Sequence, residues 1–127
     1  MSPGHGKGAY TVRRTSLLLA VMAAALVLAS GVALAKHHVV GTDRGEKLVG
    51  TKQADNIDAQ GGDDVVQGLQ GADTIRGGNG KDRQYGGYGN DIIYSQGGYR
   101  DLVNCGKGID TAYVDAKDQV VGCERKR

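Results

Sequence analysis

From Gly41 to Tyr113 the chain repeats one pattern of polar and apolar positions every nine residues. Each unit opens with small and polar residues and reaches an acid at its sixth position, and six of the eight place a large aliphatic side chain at the eighth. The eighth positions are Leu48, Ile57, Val66, Ile75, Gln84, Ile93, Val103 and Ala112. Positions seven to nine thus set one inward side chain between two outward ones, the alternation of a short β-strand. The six residues before them combine glycine with a carboxylate and suit a tight turn. Turn and strand alternating at a fixed period predict a flat coil of parallel strands with two units per turn of the solenoid.

The units read GTDRGEKLV, GTKQADNID, AQGGDDVVQ, GLQGADTIR, GGNGKDRQY and GGYGNDIIY. One residue is then inserted at Ser95, and QGGYRDLVN and CGKGIDTAY resume the frame. All eight sixth positions are acidic: Glu46, Asp55, Asp64, Asp73, Asp82, Asp91, Asp101 and Asp110. Two units per coil stack side chains 18 residues apart on one edge. One edge then carries Glu46, Asp64, Asp82 and Asp101, and the other Asp55, Asp73, Asp91 and Asp110.

Two carboxylates about 5 Å apart repel by roughly 3 kcal/mol at an effective dielectric of 20. No basic position recurs at the same period to neutralise them. A cation between them turns repulsion into ligation, and glycine turns leave backbone carbonyls to complete its shell. Hard oxygen ligands in a flexible cage suit Ca²⁺ better than Mg²⁺, which holds to an octahedron and keeps its waters. The alternative is a solvated row of turn-forming aspartates that needs no metal.

The phrase G-G-x-G-x-D-x-U-x, clearest at Gly77–Tyr94, resembles the RTX, or haemolysin-type, calcium-binding nonapeptide repeat. The resemblance runs over Gly41–Tyr113. It implies an all-β, right-handed parallel β-roll of about four coils, with calcium in the turns between successive coils. Carried onto this chain, it implies ligands from Asp55, Asp64, Asp73, Asp82, Asp91, Asp101 and Asp110. It adds the turn residues Gly62, Gly71, Gly77, Gly78, Asn79, Gly80, Gly86, Gly87, Tyr88 and Gly89. About three to five ions are expected, concentrated between Asp64 and Asp110. Arg44 and Gln53 replace the fourth-position glycine of the first two units, so those turns are expected to be a degenerate cap with weak or absent sites. Tyr99 leaves the seventh turn similarly irregular.

The residues before the repeat have another character. Met1–Ser16 carries Lys7, Arg13 and Arg14 without an acid, Leu17–Val32 is apolar or small, and Ala33-Leu34-Ala35 has the small-x-small form of a cleavage site. A secretory signal peptide over residues 1–35 is expected, with cleavage after Ala35. The apolar run is shorter than the ~20 residues of a spanning helix, so no membrane span is expected in the mature chain. Residues 36–40 are expected to be a flexible mature N-terminus, and the adjacent His37 and His38 to point apart within it. Without its leader the chain has 16 − 3 = 13 basic and 14 acidic residues, a net charge of −1. No nucleic-acid partner follows from such a balance.

After Tyr113 the frame lapses into a C-terminal cap and basic tail at 114–127, where Asp118-Gln119-Val120 echoes the repeat without its glycines. Cys105 and Cys123, the only cysteines, are expected to form a disulfide tying this tail to the last coil. Tyr94 and Tyr113, at ninth positions one coil apart, are placed to stack on an outer face. The chain has no nucleophile elbow, no H-E-x-x-H and no EF-hand loop, so no enzyme is expected.

One aliphatic per nine residues and no Phe make a thin interior for a chain so rich in glycine. Ion binding linked to folding is the expected remedy. The reading is a secreted, monomeric calcium-binding module, structural or interacting, that folds outside the cell. A remnant of a hydrolase or toxin, a cell-surface adhesin, and an extracellular protein or glycan partner stay open.

Overall fold

The computed structural model describes residues 36–127, and the expected signal peptide lies outside these described residues. Eleven short strands follow one another without a helix: β1 His37–Val40, β2 Lys47–Val49, β3 Asp55–Asp58, β4 Val65–Gln67, β5 Thr74–Arg76, β6 Arg83–Tyr85, β7 Ile92–Tyr94, β8 Leu102–Asn104, β9 Thr111–Tyr113, β10 Gln119–Val121 and β11 Arg125–Lys126. Each pairs in parallel with the strand one coil on, so Val66 faces Gln84 and Ile75 faces Ile93. Odd-numbered strands make one sheet in the order β1-β3-β5-β7-β9-β11, and even-numbered strands the other in the order β10-β8-β6-β4-β2. The architecture is a parallel β-solenoid whose turns form two opposite edges. Among the described residues no helix is long and apolar enough to cross a membrane.

The eighth-position column fills the space between the sheets. Ile57, Val66, Ile75, Ile93, Val103 and Ala112 are fully buried, with Leu48 at one end. Gln84 is buried among them. Its Nε2 donates to the Tyr94 carbonyl at 3.0 Å, while Oε1 has no partner, so the column continues undistorted through a half-satisfied amide.

Three features differ from the sequence expectation. The solenoid has about five coils rather than four, because strands flank the repeat at both ends. His37–Val40, expected to be flexible, pairs residue for residue with Asp55–Asp58. Past Tyr113, β10 and β11 continue the two sheets although their connecting turns are shorter than those of the repeat.

The extra residue also sits elsewhere. Ser95 is buried like Ala59 and Cys105, and its amide donates to the Tyr113 carbonyl as the Cys105 amide donates to Val121. Ser95 therefore holds the first position of its unit. The insertion falls in the turn between it and Asp101.

The Cys105–Cys123 disulfide is present, with the two Cα atoms 5.1 Å apart. On the outer face of the odd-strand sheet, the Tyr94 and Tyr113 rings stack 4.8 Å apart and nearly parallel, with the Arg76 guanidinium over Tyr94 at 5.1 Å.

Candidate metal centre

The sixth-position acids do not point into solvent. Asp55, Asp64, Asp73, Asp82, Asp91, Asp101 and Asp110 are all at most 2% exposed. Each except Asp55 is held by an amide of the coil before it. On one edge the amide of Asp55 donates to Asp73 Oδ1 at 2.8 Å, that of Asp73 to Asp91 at 2.8 Å, and that of Asp91 to Asp110 at 2.7 Å. On the other edge the amide of Glu46 donates to Asp64 at 2.9 Å, that of Asp64 to Asp82 at 2.9 Å, and that of Asp82 to Asp101 at 2.8 Å. One carboxylate oxygen per turn is thus spent on an inter-coil ladder. This ladder is not legible in the sequence, because period nine determines which residues stack but not which atoms bond.

The second oxygen is different. Oδ2 of Asp64, Asp73, Asp82, Asp91, Asp101 and Asp110 is buried without a hydrogen-bond partner among the described residues. Six buried, unpaired carboxylate oxygens in so small a chain are far outside ordinary practice.

Burial is accordingly the first cause of their raised pKa values. It lifts Asp73 and Asp82 to about 7 and Asp91 and Asp101 to about 6, and it raises Asp64 and Asp110 as well. The ladder amide opposes the shift at every one, and neighbouring carboxylates add to it less than burial does. The mutual repulsion read from the sequence is real but secondary.

Turn conformation accompanies five of the six orphaned oxygens; Asp101 is the exception, because Gln96 holds the second position of its lengthened turn without a positive φ. Gln60, Leu69, Gly78, Gly87 and Gly106 all have positive φ at the second position, and Asp64, Asp73, Asp82, Asp91 and Asp110 follow in the same units. Thr51 holds that position in the second unit, outside the left-handed region. Its amide donates to Asp55 Oδ2 at 2.6 Å and its hydroxyl to Asp55 Oδ1 at 2.9 Å. Both oxygens of Asp55 are satisfied by the chain itself, which separates it from the other six. Glu46 is served in the same way by the Thr42 amide.

The fourth-position glycines bring successive turns together. At Gly80 (φ +103) a Cβ would lie 2.2 Å from the Gly62 carbonyl oxygen, and at Gly89 (φ +108) 2.4 Å from that of Gly71. Only glycine allows both the left-handed backbone and this approach. The first-position residues Gly77 and Gly86 leave room for Oδ2 of Asp82 and Asp91. Asn79 and Tyr88 donate their amides to the carbonyls of Gln60 and Leu69 one coil back, at 2.9 and 2.7 Å.

Among the described residues no three or more His, Cys, Asp or Glu side chains come together in a group that could hold a metal ion by themselves. What recurs is one unpaired carboxylate oxygen per turn amid closely stacked backbone carbonyls. This donor set fits Ca²⁺, whose charge offsets the cost of burying the anion.

Asp118 and Glu124 lie outside the repeat and outside the ligand set that the resemblance implies. Asp118 Oδ1 accepts the Asp101 amide at 2.9 Å, and Glu124 Oε2 accepts that of Asp110 at 2.8 Å. They end the two ladders. The D-x-U echo marks Asp118, whereas Glu124 stands 14 residues beyond Asp110, outside the 18-residue spacing that would reveal it.

A family model described as the RTX calcium-binding nonapeptide repeat matches the chain in four overlapping copies, over residues 40–75, 59–93, 67–102 and 76–112. The chain belongs to this family. Its repeats are calcium-binding structural repeats, and the turns described above are where they fall. No curated protein and no solved structure matches the chain.

Proposed function

We propose that this RTX protein is a secreted module whose folding is driven by calcium, and that it carries no catalysis of its own. The observation behind this reading is the set of six buried, unpartnered Oδ2 atoms. Without an ion each is a desolvated charge without compensation, so the calcium-free roll is penalised at every regular turn. With calcium bound, Asp64, Asp82 and Asp101 on one edge and Asp73, Asp91 and Asp110 on the other supply carboxylate oxygen, and the stacked turns supply carbonyls. Three such turns on each edge enclose two gaps, four in all, which lies within the expected three to five ions. Asp55, satisfied by Thr51, needs no ion.

The leader-like residues 1–35 support export, and calcium outside the cell then acts as the folding signal. Two experiments test this. Mass spectrometry of protein recovered from the medium should find an N-terminus at Lys36. Calorimetric titration with calcium should give about four ions, and a stoichiometry of one or none would refute the site assignment.

A further inference from the structure

The two edges of the roll differ in what they show to solvent. On the edge carrying Asp82 the turn tips are mixed in charge, with Asp43, Arg44, Asp63, Lys81 and Arg100, and Tyr99 is the one large apolar side chain exposed among them. On the edge carrying Asp73 the aspartates are buried, and Lys52, Leu69, Tyr88, Lys107 and Ile109 are exposed beside the uncharged Gln53, Gln70 and Asn90. Leu69, Tyr88 and Ile109 are 40%, 57% and 58% exposed, on three successive coils. Leu69 and Tyr88 line a shallow depression with Lys52, Gln70 and Gly87, and the Lys107 ammonium lies 5.7 Å from the Tyr88 ring. Leu69 holds φ +73 where the turns at 78, 87 and 106 use glycine, so an apolar side chain is kept exposed on a strained backbone. The one exposed acid at this edge, Glu124, is followed by Arg125, Lys126 and Arg127.

We propose that this edge docks on the surface of an anionic lipid bilayer, with Leu69, Tyr88 and Ile109 entering the headgroup layer and Lys52 and Lys107 meeting phosphates. Aliphatic tips flanked by lysine, with a tyrosine between them, match the boundary between headgroups and acyl chains. Each lysine adds attraction to an anionic leaflet. A hydrated acidic polysaccharide would account for the lysines but gives Leu69 and Ile109 nothing to bury against. The site is separate from the calcium turns' interior, although it requires the roll to be folded.

The test is co-sedimentation of residues 36–127, which hold the eleven described strands and the buried column between them, with vesicles at one fixed calcium concentration. Phosphatidylcholine alone is compared with phosphatidylcholine containing phosphatidylglycerol. Leu69→Gln with Ile109→Asn removes the apolar tips while using residues that the equivalent turns already carry, at Gln60 and Asn90. Lys52→Glu with Lys107→Glu reverses the charge, and Lys81→Glu with Arg100→Glu on the other edge is the control. Partition onto the anionic vesicles is expected to fall at least tenfold in both variants of the docking edge and to stay within twofold in the control. Equal partition onto both vesicle types, binding unchanged in the docking-edge variants, or competition by a soluble acidic polysaccharide that vesicles do not match would overturn the proposal. Circular dichroism on each sample separates a protein that is folded but does not bind from one that has failed to fold with calcium.

Discussion

Asp73 Oδ1 accepts the amide of Asp55 at 2.8 Å, and its Oδ2 stays buried without a partner among the described residues. One side chain thus holds two coils together and presents a charge that the protein alone does not neutralise. The same division of labour recurs at Asp64, Asp82, Asp91, Asp101 and Asp110.

Substitution can separate the two roles at Asp82. Asp82→Asn keeps a carbonyl oxygen for the Asp64 amide and removes the charge. It is expected to weaken calcium binding about tenfold or more, about 1.4 kcal/mol, and to leave the roll intact at saturating calcium. Asp82→Ala also strands the Asp64 amide, at a further cost of about 1–3 kcal/mol. Calorimetry and denaturant unfolding of the pair measure the two terms, and equal stability of the two variants in calcium would contradict the ladder.

The pH dependence has opposite signs with and without calcium. A carboxyl whose folded pKa is raised favours the fold fully below its unfolded value, near 3.8, and withdraws that support as pH rises through the folded value. Here those folded values are about 6 for Asp91 and Asp101 and about 7 for Asp73 and Asp82. In chelator, the β signal is therefore expected to grow as pH falls from 8 to 5. Calcium affinity should decline over the same interval, because protons compete for Oδ2. Circular dichroism against pH in both conditions checks both signs.

Two glycines make a matched test of the stacked turns. A methyl group at Gly80 would meet the Gly62 carbonyl on a left-handed backbone, whereas at Gly97 the nearest atom outside its neighbours is 3.5 Å away and φ is not positive. Gly80→Ala is expected to destabilise the calcium-loaded roll by at least about 2 kcal/mol. Gly97→Ala should change it by less than about 0.5 kcal/mol. Thermal unfolding in calcium distinguishes them.

Gln84 offers a gain. Its Oε1 is buried and unpaired, while the Tyr94 carbonyl it bonds also accepts the Gly77 amide at 3.1 Å. Gln84→Leu removes an unsatisfied acceptor and extends the apolar column between Val66 and Val103. It is expected to stabilise the roll by about 1–2 kcal/mol, measured by denaturant unfolding at fixed calcium.

Much of this was legible in the sequence. The eighth-position column identified the buried face, from Leu48 to Ala112, and the nine-residue period placed eight strands close to where they lie. Cys105 and Cys123 pair, and Tyr94 stacks on Tyr113, because each couple sits at matching heights on neighbouring coils. The ends were harder to read. His37–Val40 has no glycine–aspartate turn to announce it, and β10 and β11 follow shortened turns that break the period. Within the site, Gln53 in place of a fourth-position glycine sets the turn of Asp55 apart, but the sequence does not show which atoms make Asp55 differ from Asp73. The difference comes from whether the second residue of the turn, Thr51 or Leu69, aims its amide at the carboxylate.

The central claim is that calcium makes the fold. The most direct test is far-UV circular dichroism of residues 36–127 during a calcium titration, with magnesium in parallel. The account predicts a largely disordered chain in chelator and a cooperative rise in β signal with calcium alone. A chain already folded in chelator at neutral pH, or one that responds equally to magnesium, would contradict it.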